Sequence, residues 1–386
     1  MAPKRVLIAH QSTIPHYRVA FYNLLNRIRP ADWTFDVVYD VRESQRPTIY
    51  LEKVDSRTFQ FPILDAKTSS LTLGGRRLLW QHFWRRAKHY DVLVTDTHLS
   101  NLTYPALLWH QFRGRKRVLW GHVRDMNREN PGRVKKLVES IKGRYIKSAD
   151  GFLAYTNSGH DELRALGYPS ERIVVLNNTI DIDAERATFL RLRAHRNRIR
   201  DELGFAGKKV IVYAGRLVEG KRIGYLLDAF RLLYRLDAGV HLAIVGSGAL
   251  EGQVKSLRDE LGTDAVSVFG AVTDPEQLGR ILTASDRYVI PGYVGLAPLQ
   301  AICYGLMPIY FALPFHSPEV EYLNPGNSWK LPAEMPAEEL AGFMENSFLQ
   351  STADDEAFRS ISHLTLESMA NHFAEGIARA LGMVKP

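Results

Sequence analysis

The sequence predicts an α/β protein built from two doubly wound, Rossmann-like sheets. Short apolar, β-branched runs alternate with amphipathic runs of helical period. The alternation restarts midway along the chain, and several of the apolar runs end directly on glycine. Strands separated by helices pair in parallel, with helices covering both faces of the sheet.

In the first half, Arg5 to His10, Thr34 to Tyr39, Asp91 to Thr95, Arg117 to Trp120, Gly151 to Tyr155 and Ile173 to Leu176 read as strands. Tyr17 to Ile28 and Gly159 to Leu166 read as helices, the second ending at Gly167. The pattern restarts with strands at Lys209 to Ala214, Val240 to Val245, Val266 to Phe269 and Arg287 to Ile290. Helices over Gly224 to Leu236, Leu250 to Leu261, Pro275 to Ala284 and Ala297 to Tyr304 interleave with them. Asn177 to Asp183 forms the join, followed by a basic, helix-compatible run from Arg186 to Leu203. A last helix is expected over about Asp355 to Leu381. The expected division is residues 1–178, residues 179–362, and a terminal helix within 363–386 that packs back on the first domain. Its length of 386 residues suits two domains of roughly 100–200 residues each. Two such sheets facing across a cleft would bind ligands at the carboxyl ends of their strands.

Composition narrows the function. Hydrophobic residues at 45% and charged residues at 24% exclude a wholly disordered chain. The single cysteine, Cys303, excludes a disulfide framework within the chain and a cysteine zinc site. With no signal-peptide core near the start, this favours a reducing, cytoplasmic setting. Tyr288 to Phe315 carries no charge, yet Pro291, Pro298, Pro308, Pro314, Gly292, Gly295 and Gly305 interrupt it. A strand, loop, short helix and second strand fit it better than a membrane span. The net charge of +8 points to an acidic partner or to a solvated basic surface.

The sharpest local signal is Tyr213-Ala214-Gly215-Arg216-Leu217-Val218-Glu219-Gly220-Lys221. A pyrophosphate needs cations at a strand end and backbone able to approach closely. Gly215 allows the approach, the Arg216 fork suits phosphate oxygens, and Lys221 adds a point charge. Gly246-Ser247-Gly248 follows another strand, and its spacing suits a tight turn more than a dinucleotide fingerprint. Pro291-Gly292-Tyr293-Val294-Gly295-Leu296 precedes a helix whose positive end could face an anion. In the first half, His122 lies just past a strand end, where it could orient a substrate hydroxyl, although a single histidine is more often structural. His16-Tyr17-Arg18 opens the first helix, and Arg18 could hold an anionic acceptor or pair locally. Arg76 to Arg86 mixes Trp and Arg at helical spacing, which suits either a helix on an anionic membrane or a core-facing helix. Asp181-Ile182-Asp183 matches a two-carboxylate metal pattern but lies at the join, outside any strand context, and reads as coincidence.

These residues resemble glycosyltransferase family 4, enzymes of the GT-B fold, over nearly the whole length and most clearly from Val210 to Asn327. Gly215-Arg216-Leu217 through Lys221 resembles the family's diphosphate-binding element, and Leu242 to Gly248 its strand and G-x-G turn. Val268 to Val272, including Phe269, resembles the stretch beside the donor base. Asn177 and Asn178 resemble the asparagine-rich entry to the second domain, and His122 the active-site histidine near the donor sugar. The resemblance implies a retaining, metal-independent transferase that uses a nucleotide-diphosphate sugar and needs no cofactor. It assigns His122, Arg216 and Lys221 to catalysis. Donor contacts would come from Asn178, Gly215, Gly246, Gly248, Phe269, Gly292 to Leu296, Gln300 and Glu319, and acceptor contacts from His16, Tyr17 and Arg18. The acceptor implied is a glycan or lipid-linked glycan at the inner membrane face, with an anionic membrane surface as a further partner. The departure is that the family's two glutamates, E-x7-E, fall at Gly292 and Gln300. Gln300 could still reach a ribose, and Glu319 could compensate for the carboxylate that Gly292 lacks. Two rivals are a catalytically inactive sugar-nucleotide-binding homologue and a basic nucleic-acid-binding protein. No nucleic-acid module supports the latter.

Overall fold

The computed structural model describes residues 3–9, 14–42, 56–73, 76–123, 133–350 and 354–384. His10, where the first strand was expected to end, lies outside them. By internal contact the chain divides into two compact units, Met1–Asn178 with Leu366–Pro386, and Thr179–Thr365.

The first unit opens with β1 (Lys4–Ala9), α1 (His16–Ile28), β2 (Trp33–Tyr39) and β3 (Ile63–Asp65). Next come β4 (Thr68–Leu73), β5 (Arg76–Gln81) and β6 (Val92–Thr95). Then follow α2 (Thr103–Ala106), α3 (Leu108–Phe112), β7 (Lys116–Gly121), α4 (Arg133–Lys147), β8 (Gly151–Ala154), α5 (Asn157–Ala165) and β9 (Ile173–Val175). Seven strands form one parallel sheet in the order β3-β2-β1-β6-β7-β8-β9. The interior strands β6 and β8 are buried along their whole length. That is why they read as continuous apolar runs instead of alternating ones.

The second unit begins with α6 (Ile182–Arg193), α7 (Arg196–Glu202), β10 (Lys209–Ala214), α8 (Ile223–Leu236) and β11 (Val240–Val245). It continues with α9 (Glu251–Leu261), β12 (Val266–Gly270), α10 (Pro275–Ala284), β13 (Arg287–Ile290) and α11 (Ala297–Cys303). Next come β14 (Pro308–Phe311), β15 (Trp329–Leu331), α12 (Ala337–Ser347) and α13 (Asp354–Ile361). Six parallel strands run β12-β11-β10-β13-β14-β15. Helix α8 turns Leu226, Leu227, Phe230 and Leu233 onto this sheet at i, i+3 and i+4 spacing. Asp286 ties α7 to the sheet: it accepts from Arg196 at 2.6 Å, Arg200 at 3.2 Å and the Val210 amide at 2.7 Å.

Three expectations change. Arg76 to Arg86 is not a helix. Arg76–Gln81 is strand β5, paired antiparallel with β4, with Leu73 opposite Arg76 and Ser69 opposite Trp80. Gly74-Gly75 between two strand-forming runs is a two-residue hairpin signal, and it outweighs the helical spacing of the basic pairs. The basic run after the join is two helices, α6 and α7. The last helix is also two, α13 and α14 (Leu366–Ala380). The second break carries no proline or glycine; Leu364 is buried there and Thr365 supplies a helix-starting residue type. Helix α14 packs on α1 and on β7 to β9, with Met369, Phe373 and Ile377 in the core beside Phe21 and Trp120. The uncharged stretch from Tyr288 to Phe315 is β13, loop, α11 and β14. Among the described residues no helix is long and apolar enough to cross a membrane.

Candidate functional site

Each sheet reverses its strand order beside its first strand, between β1 and β6 and between β10 and β13. Loops leaving neighbouring strands at such a point diverge and open a crevice at the carboxyl ends. In the second unit those two loops are the ones the sequence singled out, Gly215 to Lys221 after β10 and Pro291 to Leu296 after β13.

The first loop is fixed by backbone. The amide of Gly215 donates to the Val245 carbonyl at 2.9 Å and that of Leu217 to Ser247 at 2.9 Å. This stacks the turn of Gly246-Ser247-Gly248 directly on it. A Cβ at Gly246 would fall 1.8 Å from the Gly215 carbonyl oxygen, and one at Gly248 2.4 Å from that of Leu217. The two glycines therefore serve close chain packing. The Gly246 amide donates to Gly270 at 2.7 Å and so faces protein, not an anion.

A single 3-10 turn, Glu219–Lys221, then brings Lys221 back to the second loop. Its Nζ donates to the Tyr293 carbonyl at 2.7 Å and lies 3.6 Å from the centre of the Tyr293 ring. Arg216 Nη2 donates to the Tyr293 hydroxyl at 2.5 Å. One tyrosine thus holds both cations, its ring face against one and its hydroxyl on the other. Burial lowers the Lys221 pKa from 10.5 to about 7, and the Arg216 charge adds to the effect. A cation held at such a cost is poised to receive an anion.

Gly292 explains how the loops meet. A Cβ there would lie 2.3 Å from the Gly220 oxygen and 2.4 Å from the Lys221 Cα. Backbone of one loop occupies the space where a side chain at 292 would begin. The Tyr293 amide donates to the Gly220 carbonyl at 3.2 Å, and that of Val294 to His316 Nδ1 at 3.0 Å. The resemblance gave Gly292 to Leu296 to donor contacts; the Tyr293 and Val294 amides are engaged within the unit. His316 was missed by sequence reasoning, although it lies three residues before Glu319. Its Nδ1 accepts from an amide, so its proton sits on Nε2, which donates to the Phe311 carbonyl at 2.9 Å. Burial lowers its pKa, which keeps the ring neutral and the loop anchored.

The remaining donor candidates are more dispersed. Gln300, on α11, donates to Glu185 Oε1 at 3.0 Å. Glu319 is buried in the 3-10 turn Pro318–Tyr322. Phe269 is half-buried on β12, edge-on to Phe205 at 6.4 Å. Asp181 caps α6 by accepting from the Ala184 amide at 3.1 Å, a structural task. Asn178 belongs to the first unit, where its Oδ1 accepts from Arg18 Nη2.

That bond alters the view of Arg18. It is 2% exposed, packed against Trp120 at 5.0 Å and Tyr17 at 5.2 Å, so it is a buried structural cation in this state, not one displayed to an acceptor. His16 is exposed and Tyr17 half-buried at the start of α1. His122 follows β7, half-buried, with its ring edge-on to Tyr155 at 4.5 Å. Its carbonyl accepts from Thr97 Oγ1 at 2.9 Å. Beside it, at the end of β6, Asp96 is 9% exposed and lies 3.0 Å from His98 Nδ1. This pair was also missed; Asp96-Thr97-His98 directly after a buried strand was its available signal.

Two parallel sheets of this order, one in each unit, are the architecture of the GT-B fold. Two family models together span most of the sequence, Glycosyltransferase Family 4 over residues 19–184 and Glycosyl transferases group 1 over residues 195–352. The chain belongs to this group and is a family 4-like glycosyltransferase. No curated protein matches it in sequence. Among solved structures, Anabaena HepE in complex with UDP is similar at TM-score 0.68 and 14% identity, over 97% of this chain and 99% of that one. A glycosyltransferase of Rickettsia africae aligns at 0.69 and 14%, over 99% of each chain. Sucrose-phosphate synthase of Thermosynechococcus elongatus aligns at 0.69 and 16%, over 99% of this chain and 100% of that one. At these identities the likeness is one of fold.

Proposed function

We propose that the chain moves a glycosyl unit from a nucleotide-diphosphate sugar to a glycan or lipid-linked glycan at the inner face of a membrane, as in bacterial surface-polysaccharide assembly. The second unit takes the donor and the first the acceptor. The observation that carries this reading is the pair of cations, Arg216 and Lys221, gathered on Tyr293 at the β10/β13 switch point. A diphosphate entering there would replace the tyrosine hydroxyl on Arg216 and restore full charge to Lys221. Both cations then offset the charge that grows on the departing nucleoside diphosphate, the task a divalent ion performs in other transferases. His122 orients the donor sugar, and the outcome is retaining. That HepE carries UDP or UDP-glucose makes uridine nucleotides the first donors to try.

The test is thermal shift of the purified chain with UDP-, GDP-, ADP- and dTDP-sugars, without and with magnesium, followed by donor turnover. Binding to the native state raises the melting temperature by mass action. A shift with one nucleotide, unchanged by magnesium and accompanied by slow donor hydrolysis or transfer, is expected. No shift with any of them would sink the donor assignment, and a shift without turnover would make the chain a binding protein.

A further inference from the structure

We propose that the β4–β5 hairpin and helix α3 form one face that docks on an anionic lipid bilayer. The proposal goes beyond the transfer reaction and does not depend on it.

In an antiparallel pair, residues opposite each other share a face. The register Ser69↔Trp80, Leu71↔Leu78 and Leu73↔Arg76 therefore puts Leu71, Leu73, Leu78 and Trp80 on one side of the hairpin. The other side carries Gln81, which is fully buried and bonded to Asn101 and Thr103, so that side faces the body of the unit. The first side is left outward, with Leu71 65% and Leu73 66% exposed. Exposed leucines in succession on a sheet face are what soluble surfaces avoid.

The face does not stop at the hairpin. A groove of about 950 Å³ joins Trp80 to Trp109 of α3, and Trp84, Arg85 and Arg86 also line it. Phe112 lies one turn after Trp109, on the same side of the helix, and is 87% exposed. Arg113 covers the Trp109 ring at 4.5 Å. The result is two tryptophans, two leucines and a phenylalanine at the surface, interleaved with arginines.

Charge decides the occupant. Residues 66–90 contain Lys67, Arg76, Arg77, Arg85, Arg86 and Lys88 and no aspartate or glutamate. Tryptophan with arginine is the composition that settles at headgroup depth, the rings among the acyl ends and the guanidinium groups on lipid phosphates. A protein partner would have to match this net positive charge around an apolar centre, whereas an anionic bilayer matches both by its nature.

The test is flotation of the full-length protein with vesicles of phosphatidylcholine, alone or with phosphatidylglycerol, at low and high salt. Binding is expected with phosphatidylglycerol only, and it should weaken with salt. Arg85→Gln with Arg86→Gln removes two charges, each worth about fivefold in partitioning, so about thirtyfold in all is expected. Trp109→Ser should also release the protein. All these side chains lie at the surface, so an unchanged melting temperature confirms that the fold is intact. Equal binding to neutral vesicles, no binding to either, or retention by both variants would overturn the proposal. So would a Trp109-dependent dimer without vesicle binding, which would assign the face to a second copy of the chain. Donor-induced thermal shift is read separately, so loss of membrane binding and loss of the transferase reading are distinguishable.

Discussion

Replacing Gly292 tests how the candidate site is built. An alanine Cβ there meets the Gly220 oxygen at 2.3 Å and the Lys221 Cα and carbonyl carbon at 2.4 and 2.5 Å. Carbon contacts settle near 3.5–4.0 Å, so one loop must move by roughly 1 Å. The obstacles are backbone atoms, which cannot rotate aside as a side chain would. Overpacking of this kind costs about 1–3 kcal/mol, and for a domain of this size lowers the melting temperature by roughly 2–4 °C per kcal/mol. A fall of about 2–12 °C is expected for Gly292→Ala, and at least as much for Gly292→Glu, although the latter supplies the residue that the resemblance would place there. Gly295→Ala is the internal control: its Cβ meets only the Ser317 hydroxyl, at 4.0 Å. Calorimetry gives the melting temperatures, and titration with a sugar nucleotide gives donor affinity, which should drop with the shift of Lys221. A Gly292→Glu protein of normal stability and tighter donor binding would refute the packing argument.

Three further outcomes are expected. Arg216→Ala should lower kcat/KM by at least a hundredfold at unchanged melting temperature, since the side chain is exposed and an oxyanion-stabilising donor is typically worth about 10²–10³; near-normal turnover would refute its role. Lys221 titrates at about 7 without donor, and a bound diphosphate, fully esterified and so not itself titrating in this range, must raise that value. Binding above pH 7 then takes up a proton, so the donor Kd should rise by up to tenfold per pH unit from 7 to 9 and stay level below 7, with Lys221→Met flattening the curve; a level wild-type curve would show that the ammonium is not recruited. Asp286→Ala removes the carboxylate shared by Arg196, Arg200 and the Val210 amide and should cost about 1–3 kcal/mol in denaturant unfolding, and a loss below about 0.5 kcal/mol would mean that packing and the bonds of the two arginines to the Thr283, Ser285, Ala284 and Phe205 carbonyls hold α7 without it.

Much of the fold was legible because buried parallel strands are apolar on both faces and cannot be mistaken for surface. Val92 to Thr95 and Val240 to Val245 are of this kind. The errors arose where tertiary partners decide. Arg76 to Gln81 has basic and aromatic residues that fit either period, and its pairing with Thr68 to Leu73, which the Gly74-Gly75 pair between the two runs signalled, makes it a strand. Leu364 interrupts the last helix because it is needed in the core, a demand that leaves no mark in local composition. At the candidate site, the cations were legible because strand-glycine-arginine is a local pattern. His316 was not, since its value lies in accepting a bond from Val294, 22 residues away. Arg18 read as either an acceptor contact or a local partner, because a sequence does not show that Asn178 lies beside it.

The glycine at 292 also bears on the electrostatics. Arg216 and Lys221 carry like charge, and gathering them raises the energy of the empty site. A carboxylate beside them would relieve that repulsion, raise the Lys221 pKa and then compete with an incoming diphosphate. Tyr293 relieves it more weakly, by a ring face worth about 0.5–2 kcal/mol and a neutral hydroxyl. A neutral partner is displaced by a dianion at small cost, whereas a carboxylate is not. With backbone packed at the position where the resemblance would place a glutamate, the pair is held by geometry, and its only partly relieved charge is what a donor diphosphate would neutralise.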